Sequence, residues 1–296
     1  MHNTITNEEL LNAASQALLA GARHIRIHFD KPMSELRPVF KNPEAGGSLQ
    51  TIIDKNSERD VLSVLLSSPV RDDTIIAEES GTLEGSGPRT WYIDGFDGTA
   101  NLHIGLRESS CGLLVQQDGE VVLAAGVDPF EDKLYVGIRD HGAFVYGLDF
   151  TGESFEINSD PSPLHVEPGN ARSANSLFML VDASFKPRHA QRKSAWLTEM
   201  ASSAFHARMI GSNIKQGLLL ASGRGHVALT DRIGGYFDLA GYFIAREAGA
   251  FVGNIHGETP TPGDQVVCCA TNQTLFELAL AATRKCYGGD NEFAGI

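Results

Sequence analysis

The sequence predicts an α+β fold, and three observations predict it. An amphipathic helix opens the chain, residues 70 to 147 read almost wholly as strands, and the second half alternates strands with helices. With 296 residues, the chain is long enough for one large domain or two coupled halves.

The first helix is expected in TNEELLNAASQALLAGARHIRIHF. Thr6 or Asn7 can cap it, Glu8 and Glu9 suit its N-terminal dipole, and Leu11, Ala14, Leu18, Gly21 and Ile25 recur at three and four. Pro32, Pro38, Pro43 and the run AGGS make residues 30 to 48 a loop. A second helix is expected from Ser57 to Leu66, with Val61, Leu62 and Leu65 inward. Strands follow in TIIAEES, TWYIDG, SCGLLVQQDGEVVLAAGV, KLYVGIRD and GAFVYG, with a hairpin turn over Gln117 to Glu120. Further on, residues 175 to 183 and 266 to 270 read as buried strands. Helices are expected at 190 to 203, 212 to 222, 238 to 248 and 273 to 284. The composition turns loop-like around Pro161-Ser162-Pro163, which sets a soft boundary near residue 155 between halves 1–155 and 156–296.

Composition narrows the function. A formal net charge of −13 disfavours nucleic acid polymers and anionic membranes, which are gripped by Lys and Arg stripes. The densest basic patch, Lys186, Arg188, Arg192 and Lys193 near Trp196, reads as a solvated helix approach. No apolar run reaches the roughly 20 residues of a membrane span, and MHNTITNEELL lacks the basic start of a signal peptide. Cys111, Cys268, Cys269 and Cys286 have no metal-binding spacing, so buried thiols in a reducing cytoplasm are expected.

Acids stand in unusual settings at four places. Asp54 closes TIID, Glu78 and Glu79 end TIIA, Asp94 and Asp97 follow the apolar run Trp91-Tyr92-Ile93, and Asp238 opens DLAGYFIAREAGA. Singly, each has an ordinary explanation: a helix cap at Asp54 or Asp238, a solvated loop at the Glu pair, a turn at Asp-Gly. If strand ends bring Glu78 beside Asp94, the charges must protonate or hold cations, since carboxylates ~4 Å apart repel by about 4 kcal/mol at a dielectric near 20. Oxygen ligands without histidine or thiolate select hard ions and favour magnesium. Gly95 and Gly98 give the turn dihedral freedom to wrap an ion. The backbone N–H groups opening the Gly98-Thr99-Ala100-Asn101 segment suit an anion. Together these features suggest hydrolysis of a phosphate monoester by metal-activated water.

These residues resemble the inositol monophosphatase superfamily, which includes fructose-1,6-bisphosphatases and 3′-phosphoadenosine 5′-phosphate phosphatases. The resemblance rests on WYIDGFDGTAN (91 to 101), FDLAGYFIAREAGA (237 to 250), Glu78-Glu79-Ser80 and Asp54, and runs over roughly residues 8 to 275. It implies a layered αβαβα sandwich, commonly dimeric, and inhibition by lithium. It implies side-chain metal ligands at Glu78, Asp94, Asp97 and Asp238, a carbonyl ligand at Phe96, and a weaker third ion near Glu79. Two or three magnesium ions are expected, with manganese as a substitute. Gly98 and Thr99 would bind phosphate through backbone N–H groups, while Thr99, Asp54 and Glu78 would activate the water. On this reading residues 1–155 form the metal- and phosphate-binding half, and residues 156–296 complete the site with Asp238. The expected partner is a small sugar, cyclitol or related metabolite phosphate. The alternatives are a nucleotide 3′-phosphate or a histidinol-phosphate-type substrate, and a noncatalytic binding protein.

The match departs from the family in places. Gly95 replaces the usual proline, which is expected to loosen the turn, and Phe237 replaces tryptophan. Gly211 and Ser212, expected to border the substrate, are followed by Asn213, Ile214 and Lys215 where small and apolar residues are usual. Asp231 is the counterpart of an acid that contacts inositol hydroxyls. Lys215 and Arg232 read as solvated cations, with a second anionic group on the substrate as the alternative, and His226 as a core or surface residue.

Overall fold

The structure, a computed structural model, describes residues 5–41, 48–166, 178–182, 190–202, 206–231, 234–264 and 266–287. Two sheets and three helical layers alternate through it, in the αβαβα order that the family resemblance implies.

Helix α1 (Asn7–His28) starts where the sequence places it: Thr6 and Glu9 form a reciprocal capping box. Part of the expected loop between 30 and 48 is ordered differently. A single-turn helix α2 (Met33–Leu36) ends at Arg37 in the left-handed region (φ 50°), and β1 (Val39–Phe40) pairs with β2 (Leu49–Gln50). Pro43 and AGG fall outside the described residues. Helix α3 (Ile52–Leu66) begins five residues before the expected Ser57, because Thr51 caps it and Asp54 returns a bond to the Thr51 N–H. Asp54 is thus inside the first turn rather than ahead of it.

The first sheet contains β3 (Thr74–Ala77), β4 (Gly81–Leu83), β5 (Arg89–Asp97), β6 (Ser110–Gln117), β7 (Glu120–Asp128), β8 (Lys133–Ile138), β9 (Gly142–Phe150) and β10 (Phe155–Ile157). Its order is β10-β9-β8-β7-β6-β5-β3-β4, and β11 (Ser162–Leu164) adds to β9. The β6–β7 hairpin turns through Asp118 (φ 53°) and Gly119 (φ 82°), the paired left-handed geometry of a tight hairpin. One face of the sheet meets α1 and α3, where Leu18, Ile25, Ile53, Val61, Trp91, Ile93 and Leu113 are buried together.

The second sheet has the order β13-β12-β14-β16-β15, from β12 (Phe178–Asp182), β13 (His206–Met209), β14 (Val227–Thr230), β15 (Phe251–Asn254) and β16 (Val267–Ala270). The four-residue strands β13, β14 and β15 have no expectation in the sequence reading. Helices α6 (Asn213–Ala221) and α7 (Ala240–Glu247) fill the space between the sheets, burying Ile214, Leu218, Phe243 and Ile244 with Leu114, Ala124, Ala228 and Cys269. On the outer face, α5 (Ala190–Ala201) meets α8 (Gln273–Tyr287): Trp196 donates to Thr283 at 3.1 Å and packs edge-on against Tyr287. Cys111, Cys268 and Cys269 are free and buried. Lys186 and Arg188 of the basic patch fall outside the described residues. No described helix is long and apolar enough to cross a membrane.

The α6–α7 contact depends on two glycines. A Cβ on Gly217 would lie 2.2 Å from the Gly241 carbonyl carbon, and one on Gly241 would lie 2.1 Å from the Ile214 oxygen. Backbone cannot yield as a side-chain tip can, so Gly217→Ala is expected to cost about 1–3 kcal/mol or more. Gly263→Ala, where a Cβ meets nothing within 4 Å, is expected to stay within roughly 0.5 kcal/mol. Urea unfolding followed by circular dichroism checks both; equal midpoints would refute the close-packing argument.

Candidate active site

Parallel pairing of β3 with β5 sets Ala77, the last residue of β3, opposite Ile93, so the residues that follow stand at the same level. The next residues are Glu78, whose N–H donates to the Ile93 carbonyl at 3.1 Å, and Asp94. Beyond Asp94, β5 loses register with β6, and the ladder resumes at Asp97. This bulge re-aims the chain. A 3-10 turn (Tyr236–Leu239) ahead of α7 brings in Asp238. Oxygens of Asp94, Asp97 and Asp238 all lie within 4.8 Å of one another.

Each carboxylate is held by donors. Asp94 accepts from the Phe96 N–H at 2.8 Å. Asp97 accepts from the Ser212 hydroxyl and the Ile214 N–H, both at 2.6 Å, at the start of α6. Asp238 accepts from the N–H groups of Gly234 (2.5 Å) and Gly235 (3.4 Å). These donors do not offset burial. Desolvation first, then the neighbouring acids, drives Asp94 and Asp238 well above the usual carboxylate range. Glu78 rises from 4.5 to about 7 by burial, with Glu79, Asp54 and Asp97 adding to the rise and Lys41 opposing it.

Asp54 lies beside this cluster. Thr99 donates to it at 2.6 Å, with the Phe96 carbonyl a longer 3.2 Å from the same hydroxyl. Burial lifts Asp54 from 3.8 to about 6, against the hydrogen bonds from Thr51 and Thr99. Gly98, at φ 101°, opens the short helix α4 (Thr99–His103), and a Cβ there would come within 2.8 Å of Ser109 Oγ. Gly211, at φ 75°, is crossed closely by Asn101, whose amide donates to the carbonyls of Glu108 (2.6 Å) and Ile210 (2.7 Å).

Two expected site residues are engaged elsewhere. Glu79 accepts from Lys41 at 2.6 Å and from Gln50, both carried by the β1–β2 hairpin. Asp231, just past β14, accepts from Tyr287 of α8 at 2.5 Å. Two further readings are corrected. Lys215 is buried, not solvated: its ammonium bonds Asp128 and lies 3.4 Å from Glu131. Gly95 does not use a positive φ, and its turn is not loose; a Cβ there would sit 2.7 Å from the Glu58 nitrogen, so glycine admits α3. Arg232 falls outside the described residues, and desolvation lowers His226. The sequence points to no side-chain role in the site for Lys41, Gln50, Ser57, Glu58 or Asn101. Only Asn101 carried a signal, as the last residue of the Trp91 motif.

Comparison with known proteins gives a consistent picture. A family model described as "Inositol monophosphatase family" matches residues 6–287. "Nus factor SuhB" of Vibrio cholerae is 27% identical over 260 residues, covering 84% of this chain and 86% of that protein. "Fructose-1,6-bisphosphatase/inositol-1-monophosphatase" of Aquifex aeolicus is 29% identical, covering 58% of this chain and 63% of its own. The solved inositol monophosphatase from Anabaena superposes with a TM-score of 0.76 at 19% identity, covering 95% of this chain and 98% of that one. At that identity the likeness shows the fold alone.

A carboxylate that titrates higher in the folded chain binds its proton more tightly there. Its stabilising contribution is full below the ordinary value and is lost as pH rises to the folded value. For Glu78 that window runs from 4.5 to about 7, and for Asp54 from 3.8 to about 6. The metal-free protein is expected to lose stability from these groups across that range. A divalent cation should then raise Tm more at about pH 8 than at about pH 5. Scanning calorimetry of chelator-treated protein checks this; equal Tm gains at both pH values would contradict it.

Proposed function

The chain belongs to the inositol monophosphatase family, and from that membership we propose that it hydrolyses a small phosphate monoester with the help of magnesium. One observation carries the reading: carboxylate oxygens from Asp94 and Asp97 of one motif, and from Asp238 far along the sequence, lie within 4.8 Å of one another. Like charges at that spacing, two of them buried and Asp97 partly so, need protons or a cation, and an all-oxygen donor set fits a hard divalent ion. Glu78, Asp94, Asp97, Asp238 and the Phe96 carbonyl would hold two ions. Glu79 would serve a third once it released Lys41 and Gln50. When bound, the ions would neutralise phosphoryl oxygens and acidify an attacking water, with manganese able to substitute.

The chain's own groups take the remaining tasks. Backbone N–H groups of Gly98 and Thr99 would hold phosphate oxygens. Because the Thr99 hydroxyl donates to Asp54, its lone pairs are free to accept from the attacking water and orient it. Asp54 and Glu78 would receive the proton. Gly211 and Ser212 would border the leaving group, and Asp231 would meet a substrate hydroxyl only by releasing Tyr287. Relatives named as a Nus factor and relatives named as phosphatases both align, so their names do not choose between catalysis and binding. The complete acid set with Thr99 in place favours catalysis. A homodimer in the cytoplasm is part of this proposal, as is lithium inhibition, and the net charge of −13 supports the absence of a nucleic acid polymer or membrane partner.

Phosphate release from sugar, cyclitol, nucleoside 3′-phosphate and histidinol phosphate substrates, with and without magnesium, tests the reading and ranks substrates. No release from any of them at saturating magnesium would overturn it. Asp97→Asn keeps an acceptor for Ser212 and Ile214 but loses a charge, so magnesium affinity is expected to fall about 10–100-fold with the fold intact. Thr99→Ala is expected to leave magnesium uptake unchanged while kcat falls on the order of 10²-fold. Undiminished kcat at saturating substrate would remove Thr99 from the mechanism.

A further inference from the structure

One turn of α3 reaches both first-sheet segments that carry candidate metal ligands, the turn after β3 and the end of β5. Asp54, Ser57 and Glu58 are spaced by three and four and so share a helix face. Asp54 takes the Thr99 hydroxyl at 2.6 Å and Ser57 donates to the Gly95 carbonyl at 2.5 Å. Glu58 faces the turn after β3: one carboxylate oxygen accepts from the Glu79 N–H at 2.7 Å, the other from the Ser80 N–H at 2.8 Å and the Ser80 hydroxyl at 2.5 Å. The side chain is buried, at 1% exposure. No cation pairs with Glu58 among the described residues; three donors from one turn satisfy it instead. Across the same contact, the missing Cβ of Gly95 lets the Glu58 backbone approach β5.

We infer that Glu58 is a positioning residue for Glu78, holding the 78–80 turn so that the Glu78 carboxylate is presented to the ions beside Asp94. This rests on the metal-dependent reading proposed above. A carboxylate is the group the geometry requires. An amide offers a single acceptor, and its NH2 would face a backbone N–H that needs an acceptor. The turn would then lose a bond, and Glu78 would be free to swing toward solvent, away from the other acids. The reacting atoms are never touched by Glu58, so the expected defect lies in metal affinity and in nothing downstream of it.

Calorimetric titration of manganese and magnesium into chelator-treated wild-type and Glu58→Gln protein tests the inference. Affinity is expected to fall about 10–100-fold, the usual loss when a group that orients a ligand is removed. Phosphate release should need correspondingly more magnesium, while KM for the ester at saturating magnesium stays unchanged. Leu62→Ala, a core truncation on the same helix, is the control: it should lower Tm yet leave the titration curve in place. Should Glu58→Gln not fold, Glu58→Asp and Ser80→Ala read the same contact, with an expected loss of at least about threefold in metal affinity for either. A wild-type protein that takes up no divalent ion would sink the metal site itself. A wild type that binds, with variants whose curves overlay it or shift no more than Leu62→Ala, would overturn the role of Glu58 alone.

Discussion

Crowding of like charge in a dry place is the constraint on which the rest of the structure depends. At an effective dielectric near 20, two carboxylates ~4 Å apart repel by about 4 kcal/mol, and Asp94, Asp97 and Asp238 form three such pairs at comparable spacing. Folding must bring them together without a lysine in their midst, since a salt bridge would occupy the space an ion needs. The chain answers with neutral donors. The N–H groups of Phe96, Ile214, Gly234 and Gly235 and the Ser212 hydroxyl each offer partial positive charge without filling the centre. Lys41, the nearby cation, is held at the rim on Glu79.

Much of the fold was legible because its signals are local. The Thr6–Glu9 box, the Asp118-Gly119 turn and the apolar run of β16 all depend on residues a few positions apart. Harder elements depend on partners distant in sequence. Strands β13, β14 and β15 have four residues each, too short for a period to show, and exist because β12 and β16 supply their hydrogen bonds. The start of α3 was misplaced for another reason. TIID stands ahead of the helix expected from Ser57, but the capping box between Thr51 and Asp54 makes Ile52 and Ile53 a first turn.

Legibility of the site divides along the same line. Motif residues such as Asp94, Asp97, Thr99 and Asp238 announce themselves by type and spacing, and the 3-10 turn ahead of α7 brings Asp238 to the end of β5. Roles set by three-dimensional neighbours do not. Glu58 looks like any helix glutamate until the 78–80 turn is seen folded around it. Asp231 looks like a substrate contact until Tyr287, more than fifty residues later, is seen on it. Gly95 looks like added flexibility, yet its value is the Cβ it lacks.

Lys215 shows how a departure from the family pattern can be reconciled with an intact site. A lysine directly after Ile214, whose N–H bonds Asp97, would be expected to compete with a metal for those acids. It points instead to Asp128 and Glu131 at the β7–β8 turn, where Arg224 also bonds Glu131 and reaches the Tyr135 hydroxyl. An unpaired buried ammonium would be strongly destabilising, so the lysine and its acids must be kept or lost together. The pair also fixes α6 against the first sheet, and α6 is the helix whose opening residues, Ser212 and Ile214, hold Asp97. The same helix is pressed onto α7 through Gly217 and Gly241, and α7 follows directly on Asp238. Two carboxylates far apart in the sequence, Asp97 and Asp238, are thus spaced by one tightly packed helix pair, and the middle layer of the sandwich sets the distance between them.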